Sequence, residues 1–311
     1  MKIEPRCFLL KCAGVVLFLS VALAGNAAEK APQPLSVKSL TMGLVFQNPS
    51  EPVPEPLREF VTYLARKLSS TPTITGTVLV VPTASQLVKL LEEKRVDFYM
   101  ESPHATYLIN QLGSASLLLR RWKGGVGEYR SIIFMNKGSG ISRVEELLGK
   151  MIAFEDAGST SGYFMPKLLL LNKRLILTEK PGLDAKVATK EVGYFFAGSD
   201  KNILNLVLAK KVATGAFSND DYAGVGEKEK SAISILAESA SLPRHLVSIR
   251  KDLPAPVAKG LKKVLLAMHE DAEGRAILQR ADNTTKFDLL PGGEESMRKK
   301  LVELFRFRGK K

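Results

Sequence analysis

The sequence predicts a two-lobed α/β protein, each lobe a mixed, mostly parallel sheet flanked by helices. Two observations carry that expectation. The chain has 311 residues, 45% apolar and 25% charged, which are globular proportions in a length that outgrows one core. Short apolar runs alternate along it with stretches of helical periodicity, as in βα units with parallel strands. Two such units leave a crevice between them, where ligands usually bind.

The elements follow in order. Lys2, Arg6 and Lys11 precede the apolar run Ala13–Ala24, and small residues follow. This is the layout of a secretory signal peptide, and the run falls short of the roughly 17–25 residues of a membrane span. Cleavage near Ala27 or Ala28 removes both cysteines, Cys7 and Cys12, which excludes disulfides and thiolate catalysis in the mature chain. Losing Lys2, Arg6, Lys11 and Glu4 lowers the net charge from +13 to +11. The basic residues are scattered, with the largest clusters at Arg298–Lys300 and Arg306–Lys311, and no aromatic-basic interleaving like an RNA-binding signature appears. Nucleic acid is therefore not an expected partner. Residues 28–38 read as an unstructured start.

Strands are expected at Leu40–Phe46, Thr77–Val81, Asp97–Met100, Leu117–Trp122 and Tyr129–Met135. Further strands are expected at Met151–Phe154, Val192–Phe196, Val212–Phe217 and Ile233–Ala237. Between them, helices are expected at Pro54–Leu68, Ser85–Lys94, Pro103–Leu112, Arg143–Leu148, Ser161–Leu171 and around Ile203–Leu208. The last stretch reads as mostly helical, over Ala255–Met268, Ala272–Gln279 and Glu294–Phe305. Trp122 is expected in the core.

The run from Ile152 to Tyr163, IAFEDAGSTSGY, carries the most chemistry. It reads as a strand, a tight turn and a helix start. The first amides of a helix lack internal partners and mark its positive end. Ser159, Thr160 and Ser161 add three hydroxyls there, a donor nest suited to a tetrahedral oxyanion. Gly158 and Gly162 permit close backbone approach. An ordinary N-cap, which needs one hydroxyl, is the competing explanation. Gly158–Gly162 also resembles a G-x-S-x-G nucleophile elbow, but the elbow position holds Thr160. Among His104, His245 and His269, only His245 follows in the order a triad would need. Metal ligands are not expected, since the mature chain lacks cysteine and no two histidines have ligand spacing. No cofactor is implied: Gly124–Gly127 and Gly149-Lys150 each lack the rest of a nucleotide-binding loop. Gln47, Asn48, Ser102, Asn219 and Tyr222 follow strand ends, where cleft residues belong.

With these pieces in order, the chain resembles the periplasmic solute-binding proteins of phosphate/phosphite/phosphonate ABC transporters. The matching residues are Leu40–Phe46, Arg95-Val-Asp-Phe-Tyr99 with Ser102-Pro103, and Glu128–Phe134. Glu146–Lys150, Ser159-Thr-Ser-Gly-Tyr163, Gly198-Ser-Asp200, Val212–Ala216 and Arg250–Pro254 continue the match. The resemblance implies a type II periplasmic-binding-protein fold, with lobe one over residues 36–130 and 237–311 and lobe two over 131–236. Crossings would lie near Glu128–Ser131 and Ala237–His245. It also implies a monomeric, non-enzymatic protein of the periplasm that closes on a small oxyanion and delivers it to a membrane permease. In that family the hydroxyls matching Ser159, Thr160 and Ser161 hold the phosphoryl oxygens. Glu101 stands where better-known members carry an aromatic residue, and Asp200 where they carry a histidine. Either carboxylate is expected to meet a ligand ammonium, to share a proton with a monoanionic ligand, or to turn away toward Arg120 or Arg121. The alternatives are an exported α/β hydrolase using Ser159–Gly162 and a ligand-presenting sensor subunit.

Overall fold

The computed structural model describes residues 39–46, 52–68, 74–113 and 115–305. The expected leader, residues 28–38, Gln47 and Asn48 lie outside them. The first half of the chain forms β1 (Ser39–Val45), α1 (Glu55–Leu68), β2 (Thr75–Val81), α2 (Ala84–Glu92), β3 (Phe98–Glu101), α3 (Pro103–Gln111) and β4 (Ala115–Lys123). The chain then passes through β5 (Glu128–Tyr129) into β6 (Ser131–Asn136), β7 (Met151–Phe154), α4 (Met165–Asn172), β8 (Leu177–Glu179), β9 (Val192–Phe196), α5 (Asp200–Leu208) and β10 (Thr214–Ser218). After α6 (Asn219–Gly224), α7 (Glu227–Ala232) and β11 (Ile233–Glu238), it returns through β12 (Leu242–Pro243). It ends with β13 (Leu246–Arg250), α8 (Ala255–Ala267), α9 (Ala272–Arg280), β14 (Thr284–Asp288) and α10 (Gly293–Phe305).

Two six-stranded sheets result, ordered β14-β4-β13-β3-β1-β2 and β11-β6-β10-β7-β9-β8. In the first, β1 pairs in parallel with β2 and β3, while β13, β4 and β14 add antiparallel partners. In the second, β10, β7, β9 and β8 are parallel, and β6 joins β10 and β11 antiparallel. Each sheet is buried on both faces. Phe60, Leu64, Leu261 and Phe287 pack on one side of the first sheet, and Leu87, Leu91 and Ile109 on the other. That is why its inner strands read as continuous apolar runs rather than alternating ones. The two passages between lobes pair with each other as the β5–β12 ribbon.

Several expectations are corrected. The C-terminal stretch is mostly helical as expected, over α8, α9 and α10, but two strands go unread: β13, an interior strand between β3 and β4 just ahead of it, and β14, an edge strand within it. Leu246-Val-Ser-Ile-Arg250 is too short for its periodicity to distinguish strand from loop, and Thr284–Asp288 offers one large apolar residue, Phe287. Arg143–Leu148 yields only the single 3-10 turn Val144–Leu147. The Glu146 carboxylate folds back onto the amides of Ser142 and Arg143, and Gly149 ends the turn at a φ of 74°. The strand expected at Tyr129–Met135 breaks at Arg130 into the crossing and β6. Trp122 is half-buried rather than in the core, its ring covered by Lys286 at 4.2 Å and Arg120 at 5.5 Å.

Candidate functional site

In parallel α/β sheets, ligands gather beyond the carboxyl ends of the strands. In the second sheet those ends are Phe154 of β7, Phe196 of β9 and Ser218 of β10. The chain leaves β7 through Glu155, turns at Asp156–Gly158, and enters a widened turn over Thr160–Phe164 that runs into α4. The widening is visible in two bonds of five-residue reach, Phe164 N–H to the Ser159 carbonyl and Met165 N–H to that of Thr160.

Two of the hydroxyls expected to form one nest, those of Ser159 and Thr160, turn to separate partners within the protein. Ser159 caps the turn, accepting the Gly162 amide at 2.9 Å while donating to Oε2 of Glu155 at 2.7 Å. Thr160, only 2% exposed, accepts the His104 amide at 3.1 Å and hydrogen-bonds Tyr129. Ser161 is half-buried, and its carbonyl accepts the Ser131 hydroxyl at 2.6 Å. Gly162 permits a close approach, but by the protein itself: a Cβ there would lie 2.5 Å from Oε2 of Glu155.

The His104 amide belongs to the first lobe. It lies in the opening turn of α3, where Pro103 precedes it and Ser102 makes no side-chain cap. One of the unpaired amides that every helix start presents is therefore met by Thr160 from the opposite lobe. Around that bond the His104 ring stacks on Phe164, centroids 3.6 Å apart, and Phe305 packs against both. Burial pushes the His104 imidazole down to about 4, so it is neutral at ordinary pH.

Carboxylates line the same region. Glu101 ends β3, is 8% exposed and accepts the amides of Val45 and Ser102. Burial outweighs those two bonds and pushes its carboxyl up to about 7. Neither Arg120 nor Arg121 turns to it: Arg120 forks onto Asp288, and Arg121 binds Asp282 and Thr284. Glu155 is held above the ordinary carboxylate range by burial and by the charges of Asp156, Asp221 and Asp200, against the lowering effect of the Ser159 bond. Asp200 is exposed in the first turn of α5, behind the cap Ser199. Among the described residues, no three His, Cys, Asp or Glu side chains converge closely enough to hold a metal ion.

The remaining candidates have structural partners. Asn219 clips the crossing strand, accepting the Arg130 amide at 2.7 Å and donating its own to the Arg130 carbonyl. Tyr222 packs over Phe217, with Lys230 across its ring. His245 is not brought to Thr160. Burial and then Arg121 hold it down at about 3, and Lys123 and Arg244 add to the positive surroundings. An elbow nucleophile needs a base within hydrogen-bond reach, and the Thr160 hydroxyl meets an amide instead.

Sequence reading missed Glu155, His104, Phe164, Tyr129 and Arg244. Arg244 enters from the return crossing, pairs with Asp220 of α6 and lies over the Tyr129 ring. Glu155 was the legible one, because it directly follows a buried parallel strand. The others sit on short or crossing segments whose neighbours come from distant sequence.

Comparison with known proteins agrees with this architecture. XAC2383 from Xanthomonas citri, solved bound to chloride ion, is 27% identical, with a TM-score of 0.77 over 87% of this chain and 99% of that one. The same protein bound to ATP superposes at 0.73, with the same identity and coverage. PhnD1 from Prochlorococcus marinus in complex with methylphosphonate shares the fold at 17% identity, with a TM-score of 0.61 over 86% of this chain and 97% of that one. Two lobes, a paired double crossing and a hydroxyl-rich turn at the strand ends are thus found together with a sequence match over residues 42–290 to the family described as ABC transporter, phosphonate, periplasmic substrate-binding protein, and the chain belongs to that family.

Proposed function

We propose that the protein is exported to the periplasm, captures a small phosphate-, phosphite- or phosphonate-type oxyanion between its lobes, and delivers it to an ABC permease as a non-catalytic monomer. Lobe one is assigned to residues 36–130 and 237–311 and lobe two to 131–236, with β5 and β12 as the hinge. One observation carries the reading. The starts of α3 and of the Thr160 turn, one from each lobe, face each other closely enough to share the Thr160–His104 bond. Two helix starts converging from opposite lobes give amide donors that meet around a guest only on closure. Ser159, Thr160, Ser161 and Ser102 are the assigned donors, with Glu101 buried beside them and Asp200 at the exposed rim. The carboxylates disfavour a bare dianion, so the favoured guest carries a proton or an ammonium group.

The test is calorimetric titration of the mature chain with phosphate, phosphite and methylphosphonate. Binding of at least one is expected, and Ser159→Ala combined with Thr160→Val should weaken it by tenfold or more, at about 1.4 kcal/mol per factor of ten. Unchanged affinity in that double variant would move the site elsewhere.

A further inference from the structure

Glu155 holds the Ser159 hydroxyl that the oxyanion reading assigns to the guest. A hydroxyl has one hydrogen to give, and that of Ser159 goes to Oε2 of Glu155 at 2.7 Å. The Ser159 oxygen is also engaged, by the Gly162 amide. The same Oε2 lies against Gly162, so close that a Cβ there would meet it at 2.5 Å. An incoming oxyanion therefore competes with the protein's own carboxylate for Ser159, and a second negative charge would then sit beside the first.

The groups facing Glu155 make that encounter costly. On its own turn these are Ser159 and Asp156, from α5 Asp200, from α6 Asp221, and from the crossing strand Tyr129. Among the described residues no lysine or arginine pairs with it. A proton removes the conflict. A neutral carboxylic acid donates one hydrogen bond, so a protonated Glu155 gives its hydrogen to the oxyanion and frees that of Ser159 for the same guest.

We propose that Glu155 is a positioning and specificity residue which makes oxyanion capture consume one proton, taken from solvent onto its carboxyl and shared with the bound anion. The proposal rests on the oxyanion reading above. It explains how a cleft lined with carboxylates accepts an anion, and it favours protonated or singly charged oxyanions over dianions. The raised carboxyl of Glu155 in the free protein is consistent with it.

The experiment titrates methylphosphonate into the mature wild type and Glu155→Gln, in buffers of different ionisation enthalpy, at two pH values one unit apart above neutrality. Wild type should take up about one more proton per ligand than the variant, and its Kd should weaken about tenfold more over that unit. Glutamine keeps the shape and offers a permanent N–H donor, so the variant should keep only the pH dependence that methylphosphonate's own titration imposes. Equal proton uptake and equal pH dependence in the two proteins would overturn the proposal while leaving the oxyanion reading intact. Loss of aminoethylphosphonate but not methylphosphonate in the variant would overturn it in favour of a link to the ligand's ammonium. Failure of both proteins to bind any of these anions would overturn both. Sulfate, which carries no titrating proton near neutrality, gives a readout on wild type alone: binding without proton uptake overturns the proposal even if the variant does not fold.

Discussion

At the scale of the residue, the governing fact is a set of acids placed where solvent is scarce. Glu101 shows the consequence for stability. Its carboxyl is raised from 4.5 to about 7, so the folded chain keeps a proton that the unfolded chain releases. Stability from this group is therefore full below about 4.5 and is lost as pH rises to about 7, by about 3 kcal/mol. Glu101→Gln should remove that part of the slope. Denaturant unfolding of both proteins across the window measures the difference, and parallel profiles would show that Glu101 is not desolvated. Glu155 shares the direction of shift but differs in use, since its carboxyl also holds Ser159. Thr160 shows a further role, in which one buried hydroxyl satisfies an amide of the opposite lobe.

At the scale of the element, α10 decides how firmly the lobes are joined. Its residues Met297, Leu301 and Phe305 recur every four positions on one buried face. They pack with Leu117 and Leu246 of the first lobe, Met165 and Leu168 of the second, and Leu242 of the ribbon. The helix is thus a strut across the hinge. Phe305 is 4% exposed and touches both His104 and Phe164. Phe305→Ala should cost about 3–5 kcal/mol in unfolding free energy and enlarge the radius of gyration of the ligand-free protein in solution scattering. An unchanged radius would show that α10 stabilises the first lobe without restraining the second.

At the scale of the whole molecule, two lobes and a paired crossing convert binding into stability. The crossing carries ion pairs, Arg130 with Glu238 and Lys300 with Glu128. These are partly exposed and worth at most about 1 kcal/mol each, so the apolar cluster under α10 outweighs them in joining the lobes. A ligand that prefers the closed form stabilises the protein by about 2.7 kcal/mol at a hundredfold excess over Kd. Thermal unfolding with methylphosphonate should show that increase in one cooperative transition. Two transitions, only one of them ligand-sensitive, would mean that the lobes unfold separately. The net charge of +13 draws anions toward the protein as a whole.

The amino-acid order alone determined the α/β class, the strand–turn–helix unit around Ser159–Ser161, and the family likeness. Each of these rests on local signals: apolar runs, periodicity, and hydroxyls next to glycine. Tertiary structure decided what such signals do not encode. Leu246–Arg250 becomes an interior strand because β3 and β4 pair with it from sequence far upstream. Ser159 turns to Glu155 and Thr160 to His104 because chain packing, not hydroxyl spacing, sets which donor or acceptor lies within reach. The acidity of the site arose the same way. Glu101, Glu155, Asp200 and Asp221 are dispersed along the chain, and the carboxyls of Glu101 and Glu155 are raised only because folding removes water from them and, at Glu155, brings like charges near.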